Sequence, residues 1–245
     1  MCNDEKRSNQ FEDNTLLSTE QGTAKKTRKQ KVVVSVEGNI GSGKSTLLKA
    51  LKEFSVFTDI QLEPVEVWQN YYGTNILELF YENPSRYGFL FQSLIQSSML
   101  NSRRRHADFS VHERSLHTCT QVFLKYAEMQ NSVLSAERQL LEEHKNEILK
   151  CYPHLEPTYY IYLRGPPHTS HFRVLRRSRD EETNVSFDHL KKLHELHDDW
   201  LLNLDNCFTI DANRQISDVY KDVVNLLAEM YKKETVSYPP HNYLS

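Results

Sequence analysis

The chain has 245 residues, enough for one domain or two small ones and for a substantial core. Thirty basic against thirty-three acidic side chains leave a formal net charge of −3, which excludes a strong global field for nucleic acid or an anionic membrane. Hydrophobic residues at 38% and charged residues at 26% describe a soluble globular chain, and only seven glycines exclude a collagen-like or Gly-rich one.

Cys2, Cys119, Cys151 and Cys207 are scattered with no C-x-x-C pair. That spacing argues against a disulfide-dense module or an ordinary four-cysteine zinc site and fits a reducing compartment. No apolar run approaches the ~18 residues of a membrane span. Residues 1–30 are polar, mixed in charge and aperiodic, and read as a disordered tail. They lack the apolar centre of a secretory signal, and their acidic residues fit a mitochondrial transit peptide poorly. The cytoplasm is the default compartment. The basic cluster Lys25, Lys26, Arg28, Lys29 and Lys31 reads as a solvated junction, with a nuclear import signal as the alternative.

The ordered chain begins at Lys31, and residues 31–232 read as one domain with 233–245 as a C-terminal tail. Val32-Val33-Val34-Ser35-Val36 has the near-continuous apolar, β-branched character of a central parallel strand. A glycine-rich turn follows, and Ser45-Thr46-Leu47-Leu48 opens a helix to about Phe54. The pattern then predicts a strand over 56–62, a short helix over 75–81 and a long helix over 86–105. Phe91, Leu94, Ile95, Met99 and Leu100 recur on that helix at three- and four-residue intervals. A strand over 109–111 and helices over 118–131 and 134–149 come next. Further strands at 158–163 and 207–210 alternate with helices at 186–202 and 217–231. This alternation predicts an α/β fold with a parallel sheet flanked by helices.

Gly38-Asn39-Ile40-Gly41-Ser42-Gly43-Lys44-Ser45 matches G-x-x-x-x-G-K-[ST] at every fixed position. Glycines let the backbone curl so that N–H groups point at phosphate oxygens. The helix that follows presents its positive end to the same anion. Lys44 is expected to reach the β and γ phosphates and the Ser45 hydroxyl to ligate Mg²⁺. The pattern thus implies a nucleoside triphosphate and Mg²⁺, but not the phosphate acceptor.

The N-K-x-D segment of a GTPase is missing. The strand at 109–111 runs into His112-Glu113-Arg114-Ser115 rather than ending in the aspartate usual in motor ATPases. A compact kinase of a small molecule is therefore favoured. Glu63 directly follows the second strand, where strand C-termini line the crevice of an open α/β sheet. There it can accept a proton from a bound hydroxyl; the plain alternative is an ordinary strand-end acid. Arg173, Arg176, Arg177 and Arg179 read either as a solvated helix face or as a lid whose guanidiniums close over phosphates.

Six segments now occur in one order: Glu37 to Ser45, Glu63-Pro64-Val65-Glu66-Val67-Trp68, Phe91-Gln92-Ser93, Glu113-Arg114-Ser115, Arg179-Asp180-Glu181-Glu182, and Leu193-His194-Glu195-Leu196-His197-Asp198-Asp199-Trp200-Leu201. From about Lys31 to Asp211 the chain resembles the deoxyribonucleoside kinase family. The resemblance implies a P-loop kinase fold with an arginine-rich lid. It also implies an ATP-dependent 5′-kinase of deoxyribonucleosides in nucleotide salvage, acting as a homodimer. Glu63 would be the general base, with Arg114 orienting the 5′-oxygen and Glu113 near Mg²⁺. Gln92 would hydrogen-bond the base edge, Phe91 and Phe123 would stack on it, and Trp68 would border sugar and base, in a pocket shared with Ile95. Tyr81 and Glu182 would hold the 3′-hydroxyl, and Arg173, Arg177 and Arg179 would be the lid arginines. Thr46 would extend the phosphate loop, and adenine would lie near Asp211-Ala212-Asn213.

Two departures stand out. An arginine common in the family after Glu113-Arg114-Ser115 is absent at or near Thr120. Met99 and Cys119 replace an arginine and an aspartate of deoxycytidine-phosphorylating members, so the pocket resembles thymidine-accepting and multisubstrate ones. His194 and His197 are three apart, not the four of H-E-x-x-H, and read as helix packing rather than a metal site. Alternatives that stay open are a kinase of a nucleoside monophosphate or another metabolite, and a nucleotide-binding homologue without turnover. No nucleic-acid or membrane partner is expected.

Overall fold

The computed structural model describes residues 31–55, 59–103, 107–183 and 185–236. The N-terminal tail with its basic residues up to 30, positions 56–58 of the expected second strand, the expected helix end at 104–105, and residues 237–245 lie outside the described residues.

Five strands form one parallel sheet: β1 (Val32–Glu37), β2 (Ile60–Gln61), β3 (Phe109–Glu113), β4 (Tyr159–Arg164) and β5 (Cys207–Asp211). Their order is β2-β3-β1-β4-β5, so β1 lies at the centre. It pairs with β3 from Val32↔Phe109 to Val36↔Glu113 and with β4 from Val34↔Tyr159 to Glu37↔Tyr162.

Side-chain alternation decides what each face of the sheet meets. Val32, Val34, Val36, Ile161 and Leu163 enter the main core. There they meet Leu47, Leu48 and Leu51 of α1 (Lys44–Phe54) and Val219, Val223 and Leu227 of α10 (Ile216–Val236). Burying each leucine or valine contributes about 1.5–3 kcal/mol. Tyr160 and Tyr162 take the other phase and pack against Leu201 of α9 (Phe187–Leu201).

A second core forms around α4 (Pro84–Ser102), where Phe91, Leu94, Ile95 and Met99 meet Ile76 and Leu77 of α3 (Ile76–Glu82) and Trp68 of α2 (Val65–Gln69). Asn83 starts α4 by accepting from the Arg86 N–H at 3.1 Å, with Pro84 at the first helical position, where a missing N–H costs nothing. After β3 come α5 (Leu116–Thr118), a π-helical turn (Cys119–Leu124), α6 (Lys125–Met129) and α7 (Ser135–Cys151). The last helices before β5 are α8 (Pro167–Arg177) and α9.

Three expectations are corrected. Among the described residues the second strand is Ile60–Gln61, bonded to β3 at the sheet edge and ending before the expected Leu62. The chain leaves the ladder at Leu62-Glu63-Pro64, because proline has no N–H for it. The single helix expected over 118–131 is interrupted by the π turn, where backbone bonds lengthen by one residue. The last helix runs on to Val236, past the expected start of a tail at 233. Among the described residues, no helix is long and apolar enough to cross a membrane.

Candidate active site

A cleft of about 900 Å³ opens where β1, β2 and β3 end, between the phosphate loop, the α2–α4 region and α8. This is the crevice at the carboxyl ends of the strands that an open α/β sheet offers a ligand.

The phosphate loop closes one end. Gly41 has φ +78°, and a Cβ there would lie 2.5 Å from the Ser170 carbonyl oxygen of α8. Gly38 has φ +143°, and its Cβ would lie 2.7 Å from the Leu163 carbonyl. Only glycine meets both demands, of conformation and of close approach. Lys44 is buried and donates to the carbonyls of Gly38 at 3.0 Å and Asn39 at 2.8 Å. Burial, then the charge of Arg114, pull its pKa down to about 7. An arriving polyphosphate would supply the opposite charge that favours the ammonium form.

The other end of the cleft is built around carboxylates. Glu63 pairs with Arg114 Nε at 2.9 Å. Its pKa is raised, first by burial; Arg114 opposes the shift and Glu113 adds to it. Glu113 accepts from the Ser45 hydroxyl at 2.6 Å and, through its other oxygen, from the Glu63 N–H at 3.3 Å. A hydroxyl and a carboxylate oxygen side by side at the mouth of a phosphate loop are the hard donors that Mg²⁺ accepts, so the residues present fit that ion. Arg114 itself has φ +60°, the left-handed region, and its N–H donates to Val36 at 3.0 Å. Such a conformation in a non-glycine residue costs about 1–3 kcal/mol and has to be held by its surroundings.

Two residues to which the sequence reading assigned no role do part of that holding. Glu37, fully buried at the end of β1, accepts from the hydroxyls of Ser35 at 2.7 Å, Ser115 at 2.8 Å and Thr118 at 2.6 Å. It ties the strand that feeds the phosphate loop to the segment after Arg114. Arg103 is also buried and donates from NH2 to the Glu113 carbonyl at 2.6 Å. Burial lowers its pKa to about 10, with Glu63 the largest opposing charge. In the sequence Glu37 appears only as the first residue of a matched segment, with no role of its own, and Arg103 reads as an ordinary helix end.

The middle of the cleft is aromatic. Phe91 meets Trp68 edge-on at 5.6 Å and stacks on Phe80 at 4.6 Å. Trp68 Nε1 donates to the Ser98 hydroxyl at 2.8 Å, which fixes the indole plane. Gln92 lines the cleft, only 2% exposed, and its Oε1 is buried without a partner among the described residues. An unsatisfied buried amide oxygen costs about 1–3 kcal/mol, so a hydrogen-bonding ligand there removes a penalty. Phe123 presents its ring to Arg114 at 4.9 Å.

Opposite lie the arginines. Glu182 is buried and pairs with Arg177 and, at 2.8 Å, with Arg179. Arg173 donates to the carbonyls of Ser42 at 3.3 Å and Ala212 at 2.9 Å, linking α8 to the phosphate loop. Burial and the Glu182 charge raise the Tyr81 pKa, so its hydroxyl stays protonated.

Most residues singled out in the sequence line this one cleft. They are Ile40, Gly41, Ser42, Gly43, Lys44, Ser45 and Thr46 at one end; Glu63, Trp68, Tyr81, Phe91, Gln92, Ile95, Glu113, Arg114 and Phe123 at the other; and Arg173, Arg177, Arg179, Glu182 and Ala212 across the mouth. Gly38 and Asn39 shape the loop from behind, Asn39 donating to the Leu190 carbonyl at 2.8 Å. Asp211 and Asn213 stand outside the wall: the Asp211 carboxylate accepts the Asn213 N–H at 2.8 Å, and Asn213 accepts from Thr169 at 2.8 Å. Met99 and Cys119 also do not reach the wall. They are buried in the apolar cluster behind Phe91 and Ile95, because the helical period turns Met99 inward. Burial pushes the Cys119 thiol up to about 12. Arg176, one of the arginines read as a possible lid, lines the cleft too, and so do Arg214, Lys49 and Phe80, which no contiguous motif announced.

The profile described as "Deoxynucleoside kinase" matches residues 34–233. The chain is 31% identical over 204 residues to a thymidine kinase of Ictalurid herpesvirus 1 (strain Auburn), covering 82% of this chain and 88% of the viral protein. It is 34% identical over 179 residues to mitochondrial thymidine kinase 2 of Homo sapiens, covering 71% and 66%. Against deoxycytidine kinase of Homo sapiens the figures are 28% over 232 residues, 80% and 89%.

Proposed function

The chain belongs to the deoxynucleoside kinase family and is an ATP-dependent phosphotransferase; from that premise we propose how its own residues move the γ-phosphoryl group to the 5′-hydroxyl of a deoxyribonucleoside. One observation carries the assignment. A half-buried carboxylate, Glu63, is paired with Arg114 in the same cleft as the phosphate loop.

ATP enters with its phosphates in the loop from Gly38 to Ser45, and Lys44 turns from the loop carbonyls to the phosphate oxygens. Ser45 and Glu113 would hold Mg²⁺, which when bound neutralises charge on the phosphates. The nucleoside lies between Phe91 and Phe123 with Trp68 beside it, and Gln92 reads the base edge. Tyr81 and Glu182 orient the 3′-hydroxyl. Glu63 accepts the proton of the 5′-hydroxyl as that oxygen bonds to the γ-phosphorus, and the bond from phosphorus to the ADP oxygen breaks. Arg114 and the arginines of α8 and its C-terminal turn meet the charge on the phosphoryl oxygens. A raised pKa makes Glu63 a stronger base once it is ionised.

The uncharged Met99 and Cys119 behind the pocket support a thymidine- and deoxycytidine-accepting or multisubstrate enzyme. Exposed Leu90 on α4 and Leu134 and Leu140 at the start of α7 support a homodimer through that region; size-exclusion chromatography with light scattering tests it. Free thiols at Cys119, Cys151 and Cys207 accord with a cytoplasmic setting.

The decisive experiment measures ATP-dependent phosphorylation of thymidine, deoxycytidine, deoxyadenosine and deoxyguanosine in parallel, with Glu63→Gln as control. Turnover of pyrimidine nucleosides that the substitution lowers about a thousandfold supports the reading. ATP binding with no transfer to any of the four overturns it. A strict preference for purines overturns the pocket argument alone.

A further inference from the structure

His194 and His197 lie on one side of α9, and the mechanism above uses neither. His194 has an ordinary partner in Asp198, with Nε2 to Oδ2 at 3.3 Å. His197 differs: its residue is 0% exposed. Its Nδ1 lies 2.6 Å from the Leu193 carbonyl one helical turn back. A carbonyl oxygen only accepts, so Nδ1 carries the hydrogen and Nε2 presents a lone pair. That lone pair is 3.4 Å from NH1 of Arg114.

The surroundings keep the ring in this form and orientation. Burial, followed by the charge of Arg114, holds its pKa well below the ordinary 6.5. Lys44 and His194 push the same way, and the Leu193 carbonyl opposes. The ring of Tyr162 lies nearly parallel to it, with centroids 6.2 Å apart and 10° between planes. Tyr162 is in turn fixed through its hydroxyl to Asp198 at 2.7 Å, which also takes two hydrogen bonds from Arg164.

We propose that His197 is a positioning residue for phosphoryl transfer, its neutral Nε2 accepting a hydrogen bond from Arg114 and setting that guanidinium in register with Glu63. The inference rests on the role given above to Arg114. Arg114 is gripped at three places: Nε by Glu63 at 2.9 Å, the cation by the face of Phe123 at 4.9 Å, and NH1 by His197. The first grip weakens during the reaction, because Glu63 loses its charge when it takes the proton. A carboxylate in place of His197 would persist but would offset the positive charge that the phosphoryl group needs. A neutral acceptor holds the guanidinium and leaves its charge intact. At 3.4 Å the contact stands at the long end of the hydrogen-bond range.

Two substitutions separate this role from simple packing. His197→Phe keeps a flat ring against Tyr162 and removes the acceptor. His197→Gln removes the ring and keeps an amide oxygen. The expected result for His197→Phe is a kcat about tenfold to a hundredfold lower, the span of one lost hydrogen bond to a charged group, with KM for ATP and nucleoside unchanged. His197→Gln recovers most of kcat. The reverse order, an active Phe variant and an impaired Gln variant, overturns the proposal in favour of packing. A measurement on the unsubstituted protein covers the case in which His197→Phe does not fold. ¹⁵N resonances of the histidines at pH 7 are expected to give His197 as the Nδ1–H tautomer with an unprotonated Nε2. An Nε2–H tautomer or an imidazolium overturns the hydrogen bond whatever the enzyme turns over. Glu63-dependent turnover alongside a fully active His197→Phe sinks this inference and leaves the proposed reaction standing. Loss of the reaction itself, with no turnover in the unsubstituted protein, removes the role of His197 with it.

Discussion

At the phosphate end of the cleft, backbone shapes the site: Gly38 and Gly41 bring the loop within 2.7 Å and 2.5 Å, at a hypothetical Cβ, of the carbonyls of Leu163 and Ser170. At the end proposed for the acceptor, side chains shape it: Glu63 from the turn after β2, Gln92 from α4, Arg114 directly after β3 and Phe123 from the π-helical turn. The phosphate loop is contiguous, so local conformation alone nearly builds it. The acceptor pocket exists only after four distant elements have packed. A group of fixed shape and charge, the polyphosphate, suits the first construction. A substrate that varies from one relative to another suits the second, because single side chains can change without disturbing the backbone.

After Glu63→Gln, the largest expected effect tests whether the two ends are separable. Gly41→Ala introduces a left-handed strain of about 1–3 kcal/mol and a clash with Ser170, so ATP affinity falls about a hundredfold. Nucleoside affinity, read by calorimetry, stays within about twofold. An equal loss of both would break the comparison. Gln92→Leu makes the opposite split, raising KM for the nucleoside about tenfold, the worth of one or two neutral hydrogen bonds, with KM for ATP unmoved.

A pH profile sharpens the acceptor half. Glu63 works as a base only when ionised, and burial raises its pKa above the ordinary 4.5. The rate therefore falls as pH drops through that raised value, and the acid limb of kcat/KM lies above 4.5. A limb below 4.5, or one unaltered in Glu63→Gln residual activity, would remove Glu63 from the proton transfer. The smallest effect concerns the pocket wall. Ser98→Ala leaves the buried Trp68 N–H without its 2.8 Å partner, costing about 2 kcal/mol. The unfolding midpoint falls about 4–8 °C, while kcat with saturating nucleoside is nearly unchanged. A matching drop in kcat would mean that Trp68 takes part in the transfer geometry and not only in binding.

The sequence by itself determined the phosphate loop, the α/β alternation and the order of the motifs, because each is written in neighbouring residues whose period or spacing has one physical solution. Glu63 was legible from position: it follows the second strand, and strand C-termini line the crevice of an open α/β sheet. Tertiary structure decided the rest. Of the strand expected over 56–62, the described residues pair only at Ile60–Gln61, because the chain turns off the sheet edge ahead of Pro64. Met99 and Cys119, read as pocket residues, turned out to stand behind the wall, since side-chain direction depends on helix rotation that spacing does not reveal. The π turn over Cys119–Leu124 had no signature of its own. Glu37, Arg103 and His197 are separated by up to 160 positions, yet all three hold the strained segment around Arg114. Burial makes them matter, because a polar group taken from water must find its partner inside the fold, and only packing decides which partner is there.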